Sequence, residues 1–283
     1  MTAFWSTFEI FYWQYPYFIW LLPRRNVTLG IVFEKSTPKI KRMKKFIAAA
    51  FIAIAFAFTA NAQSPEYKDL LTLFVDEKFD KVVEKATRWT EGEKTKKDAL
   101  PYLFISMSYF EMSKRDKWKT KVPDAFKLSL KSIKSYAKYD PQREFASEYE
   151  DFFAELRTAL IADGELMLDQ QKFTKAKTDY QYLLNLEAND AGAQIYLGIT
   201  LVAMKSKKEA DMAFAAAKKM LTDKTASTAT PELKNFLKAA LITYALQLSD
   251  AGSNSTAKEW MELGLDIFKD DKEYNVTYET VAG

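Results

Sequence analysis

Residues 160–180 read LIADGELMLDQQKFTKAKTDY and residues 194–214 read QIYLGITLVAMKSKKEADMAF. The stretches are offset by 34 positions: Gly164 recurs as Gly198, Ala176 as Ala210, and Tyr180 as Phe214. Apolar residues flank both glycines at helical spacing, Leu160 and Met167 in one copy, Leu197 and Leu201 in the other. A small residue, an apolar stripe and then Ala-x-x-x-aromatic describe two packed helices per unit. A glycine inside a helix costs about 1 kcal/mol relative to alanine, which is tolerable where a second helix must approach closely. One such unit cannot bury its own apolar face, so copies stack.

Weaker copies flank this pair. Leu241, Tyr244, Ala245 and Leu248, followed by Ala257, Met261 and Gly264, read as a third unit, after a long Thr-, Ser- and Ala-rich connection from Thr222 to Pro231. Upstream, Leu70, Leu73, Phe79, Val82, Ala86 and Trp89 read as a terminal hairpin. Tyr102, Ile105, Ser106 and Tyr109, with Ala125 to Tyr136, read as another carrying a basic insert from Ser113 to Pro123. Asp140-Pro141 ends that unit, and Arg143 to Gln170 supplies the next helix. Gly and Pro are scarce, at 8 each, which favours helix nearly throughout.

Residues 157–190 and 191–224 resemble consecutive tetratricopeptide (TPR) repeats, whose pattern is aromatic-x-x-Leu-Gly-x-x-Tyr, then Ala-x-x-x-Phe, then Pro. The matching positions are Leu160, Gly164, Met167, Ala176 and Tyr180 in one copy and Leu197, Gly198, Leu201, Ala210 and Phe214 in the other. Asp163 and Gln194 depart from the pattern, and neither copy keeps the leading Trp or the terminal Pro. The resemblance implies an all-α, TPR-like right-handed solenoid of about four to five antiparallel helix pairs over residues 63–283. It also implies binding of a protein or peptide in a concave groove lined by the first helix of each unit. Carried over, the groove positions are Ile161, Glu165 and Leu168, with Thr158 and Asp169 beside them; then Ile195, Ile199 and Val202, with Ala203; then Ile242 and Leu246, with Ser249 and Asp250. No Lys, Arg or Asn stands in this set, so the clamp that some members close on a terminal carboxylate is not expected. An apolar helix or segment suits such a groove; the C-terminal tail of the same chain is the other occupant to weigh.

The front of the sequence reads as an address. Met43-Lys44-Lys45 precedes thirteen apolar residues, Phe46 to Phe58, and then Ala60-Asn61-Ala62 before Gln63. This is the pattern of a secretory signal peptide at 43–62, its apolar run too short for a membrane span. Residues 1–42, with ten aromatics in the first twenty, read as an upstream segment outside the translated protein; a second apolar segment from Phe4 to Leu22 is the alternative. Export into the periplasm of a Gram-negative bacterium, or secretion, is the expected localisation, with no integral span after cleavage. Residues 63–283 carry 33 Lys+Arg against 36 Asp+Glu, a net charge of −3, so the basic balance of the full sequence belongs to the leader and does not argue for nucleic acid.

The sequence has neither His nor Cys. That removes imidazole acid–base catalysis, thiol nucleophiles, disulfides and the commonest zinc ligands together. No phosphate-binding Gly-rich loop appears, so neither catalytic residues nor a cofactor are expected. Asp163, Glu165 and Asp169 tempt as a carboxylate set, but only Glu165 and Asp169 share a helix face, and a solvated or groove-lining face is the plainer reading. The insert Lys114-Arg115-Asp116-Lys117-Trp118-Lys119-Thr120-Lys121 either docks an anionic surface or is a loop whose Trp folds back on its neighbours. The expected function is thus an exported protein-binding scaffold or adaptor, not an enzyme. The alternative is an envelope-associated helical-repeat protein that binds glycan or cell-wall material, for which a cleft of aromatics, carboxylates and amides would be the mark.

Overall fold

A computed structural model describes residues 65–228 and 230–283. The signal-peptide and upstream-segment readings fall on residues 1–62, outside the described residues. The described chain is helical, with no strand: α1 (Pro65–Val75), α2 (Phe79–Glu91), α3 (Ala99–Ser113), α4 (Asp116–Lys119), α5 (Ala125–Tyr139), α6 (Glu150–Asp169), α7 (Phe173–Leu186), α8 (Ala191–Ala203), α9 (Lys207–Thr222), α10 (Pro231–Asp250), α11 (Asn254–Glu262), α12 (Leu265–Phe268) and α13 (Lys272–Ala282). Five helical hairpins follow one another, α1/α2, α3/α5, α6/α7, α8/α9 and α10/α11, and α13 packs on the last.

Four of the five hairpins turn in the same way. Glu77, Gln171, Lys205 and Gly252, each two residues past the end of a helix, have positive φ between 56° and 76°. In each case the following amide reaches back five positions along the turn: Lys78 N–H to the Leu73 carbonyl at 2.9 Å, Lys172 to Met167 at 2.8 Å, Ser206 to Leu201 at 2.9 Å, and Ser253 to Leu248 at 2.8 Å. This is the Schellman closure, which satisfies carbonyls that the helix end would leave bare. The next helix begins two residues after the left-handed residue in all four.

The helices of a hairpin touch through small residues. The Tyr180 ring lies on Gly164, and the Phe214 ring on Gly198. In the last hairpin Ala245 and Met261 take the corresponding places, both fully buried. In the α3/α5 hairpin serines do so: Ser106 Oγ donates to the Ser129 carbonyl at 3.0 Å, and both residues are fully buried. Aromatic stacks then join hairpin to hairpin. Tyr180 stacks on Tyr196 at 5.4 Å, Tyr196 on Phe236 at 5.1 Å, and Phe214 on Tyr244 at 4.2 Å. Fully burying each Leu or Phe of this core contributes about 1.5–3 kcal/mol, which is what holds a disulfide-free stack together.

Two sequence expectations are refined here. The helix expected from Arg143 begins only at Glu150. Asp140 is the reason: its carboxylate accepts from the Tyr136 hydroxyl at 2.5 Å and from the Glu144 amide at 2.8 Å, organising residues 140–145 as a capped turn, with Arg143 at φ 57°. The basic insert folds back rather than reaching outward. Trp118 packs with Val122 on the buried cluster of Phe79, Met112 and Ala125. Arg115 pairs with Glu77 at 2.6 Å and Glu111 at 3.2 Å, and Lys114 with Glu111 and with Glu155 at 2.8 Å. Most of its leading cations are therefore already engaged within the fold. Among the described residues no helix is long and apolar enough to cross a membrane.

Candidate partner-binding face

The residues expected to line a groove divide into floor and rim. Ile195 (0% exposed), Ile199 (3%) and Leu168 (8%) are core. The cause is the placing of α8, which packs against α7, α9 and α10 at once. No charged residue occurs along its thirteen residues, and a helix apolar on all sides is a buried helix. Ile161 and Ile242 are partly buried against the core, while Val202 (52% exposed) and Leu246 (42%) reach solvent. Glu165 is partly buried, and Asp169 is exposed.

Glu165 and Asp169 stand one turn apart on α6, and among the described residues neither pairs with a Lys or Arg. Burial raises the Glu165 pKa from its ordinary value, and the Asp169 charge raises it further. Both carboxylates also act on two buried phenols. Tyr180 on α7 is fully buried, and its hydroxyl has no hydrogen-bond partner. Tyr196 on α8 is 5% exposed, and its hydroxyl lies 3.4 Å from Thr243 Oγ1 on α10. Both phenol pKa values are driven upward, chiefly by burial, with the charges of Glu165 and Asp169 among the further causes. Four helices from three consecutive hairpins, α6, α7, α8 and α10, thus contribute to one polar spot.

A second carboxyl pair joins α6 to α7. Asp179, 5% exposed, has its pKa pushed up to about 7 by burial first and then by the charge and hydrogen bonding of Asp163, with Lys175 opposing. Burial and the neighbouring Asp163 thus keep Asp179 protonated to higher pH than usual, a coupling across the α6/α7 helix pair. The sequence pointed to Asp163, Glu165 and Asp169 as a set; in the fold Asp163 leaves that set and joins Asp179.

On another side of the stack, α5, α7 and α8 enclose a shallow cleft of about 470 Å³ lined by Lys134, Thr178, Gln181, Tyr182, Leu184, Asn185, Gln194 and Leu197. Sequence reasoning did not find it, because its residues come from three helices with no common spacing. The buried phenols had a readable sign: Tyr180 carries a hydroxyl where the other copy has Phe214. Among the described residues no group of acidic side chains could hold a metal ion. Compared with known proteins, the chain matches no protein-family model and no curated protein.

Proposed function

We propose that the protein is an exported, TPR-like scaffold that binds a protein or peptide on the face formed by α6, α8 and α10, and that it works by binding and not by catalysis. One observation carries this: on α6, α8 and α10, Ile161 and Ile242 are only partly buried and Val202 and Leu246 reach solvent, and among the described residues no Lys or Arg pairs with Glu165 or Asp169 of α6. Apolar side chains grouped on a surface with unpaired charges mark a contact surface more often than a solvated one. The lack of any His or Cys supports binding over chemistry. A photo-crosslinking residue at position 202 or 246 should join the protein to a polypeptide in cells. The same residue at Met212, exposed on α9, should not. Equal crosslinking from all three positions would argue against a dedicated face.

The second reading is a glycan-binding adaptor, and the α5/α7/α8 cleft favours it. Gln181, Asn185 and Gln194 offer amide donors and acceptors beside the Tyr182 ring and the Lys134 ammonium. Isothermal titration with soluble peptidoglycan fragments decides it: binding abolished by Tyr182→Ala, with Val202 and Leu246 changes silent, selects the cleft.

A further inference from the structure

We propose that Glu165 and Asp169, set before the Tyr180 and Tyr196 hydroxyls, form a subsite for the ammonium or guanidinium of a Lys or Arg flanked by apolar residues in the bound segment. This rests on the groove reading above and names the chemistry of its occupant. The first ground is charge. Two acids at i and i+4 repel one another and destabilise a helix. Two other pairs of close acids are compensated: Glu77 and Glu111 share Arg115, and Asp271 and Glu273 share Lys238. Among the described residues Glu165 and Asp169 have no such partner, so the pair is left open.

The second ground is an unused donor. A buried tyrosine hydroxyl ordinarily finds an acceptor. That of Tyr180 has none, although its ring lies against Gly164, the residue immediately before Glu165. Its neighbour Tyr196 makes only the long contact to Thr243. A bound cation holds Glu165 ionised, and a carboxylate so held is an acceptor for the phenol behind it. Among the described residues the titratable and polar groups acting on the spot are Glu165 and Asp169 from α6, Tyr180 and Asp179 from α7, Tyr196 from α8 and Thr243 from α10. None of them brings a positive charge. The partner must bring it, and Ile161 and Ile242 alongside require that its neighbours be apolar.

The test selects random twelve-residue peptides displayed on phage against the full chain, and repeats the selection against Glu165→Gln/Asp169→Asn. These variants keep shape and relieve repulsion, so folding is retained; circular dichroism checks it. Peptides from the wild type should carry one Lys or Arg within an apolar run. The strongest of them should bind the double variant 10- to 100-fold more weakly, and its norleucine version should bind both proteins alike. Selected peptides without a basic residue, or equal binding of the basic peptide to both proteins, would overturn the subsite and leave the groove reading standing. Failure to select any peptide would overturn both. n-Butylammonium chloride, at the concentration where the peptide saturates, should not compete; competition there would make this a site for small amines and overturn the assignment to a peptide.

Discussion

The Phe214 ring lies so close over Gly198 that a Cβ on residue 198 would fall 2.5 Å from Cε1 and 2.7 Å from Cδ1 and Cζ. The ring has little freedom to withdraw. Tyr244 stacks on it at 4.2 Å, and Trp260 meets its edge at 5.8 Å. Gly198→Ala gains about 1 kcal/mol of helix propensity but forces this stack apart, and overpacking costs about 1–3 kcal/mol. A net loss is expected, larger for Gly198→Leu, seen as a lowered melting temperature. Phe214→Leu should make Gly198→Ala nearly neutral. If Gly198→Ala is equally harmful in both backgrounds, the contact is not the cause.

Charges placed at Ile195 and Ile199 probe folding rather than binding, since both side chains are sealed within the stack. Ile195→Lys should leave little folded protein, because an unpaired buried ammonium is expensive. Val202→Lys with Leu246→Lys is the informative pair. Both positions reach solvent, so stability should change by less than about 0.5 kcal/mol at each. Crosslinking from a photo-reactive residue placed at the exposed Thr158, on the same face, should nevertheless disappear. Retained crosslinking by the folded double variant would move the binding surface elsewhere.

The close approach of a second helix at Gly164 and Gly198 was legible in the sequence, because a glycine inside a helix needs such a reason. That the Tyr180 and Phe214 rings, and not the small Ala176 and Ala210, would be what faces them was not. Nor were the four equal turns. Three of their left-handed positions hold Glu77, Gln171 and Lys205, where a reader looks for glycine. The floor of the groove was also misplaced, though α8 carried the warning in its uncharged sequence. What could not be read was which helices α8 would touch, and so which of its apolar residues would be left at the rim. The coupling of Asp179 to Asp163 was hidden for the same reason: it depends on the register of α6 against α7.

The raised pKa of Asp179 makes stability depend on pH. The unfolded Asp179 loses its proton near pH 3.8, the folded one near pH 7. Between these values the folded state binds more protons, so stability falls as pH rises. Asp190, pushed up to about 6 chiefly by burial, acts in the same direction. Each unit of separation corresponds to about 1.4 kcal/mol. Asp271, lowered mainly by the Tyr274 amide and Lys238, acts oppositely and loses its contribution only as the medium becomes more acid than its ordinary range. The melting temperature should therefore be higher at pH 5 than at pH 8, and Asp179→Asn should flatten that slope. A slope unchanged in the variant would assign the titration to another group.

The C-terminal helix α13 closes the stack through one hydroxyl. Tyr274 is fully buried, and its O–H donates at 2.6 Å to the Met261 carbonyl at the end of α11, which also accepts from the Gly264 amide at 3.1 Å. The same hydroxyl fills the space beside Gly264: a Cβ there would collide with it and would lie 2.8 Å from both Tyr274 Cζ and Leu241 Cδ1. Tyr274→Phe removes one bond and leaves that carbonyl its backbone partner, an expected loss of about 0.5–1.5 kcal/mol. Gly264→Ala should cost more in the wild type than in Tyr274→Phe, where the oxygen is gone, though Leu241 keeps it from becoming harmless. A thermal-denaturation double-mutant cycle should thus give a coupling on the order of 1 kcal/mol between positions 264 and 274. Strictly additive losses would mean that α13 docks through its other contacts, the Lys238 pairs with Asp271 and Glu273 foremost, and that Tyr274 only fills volume.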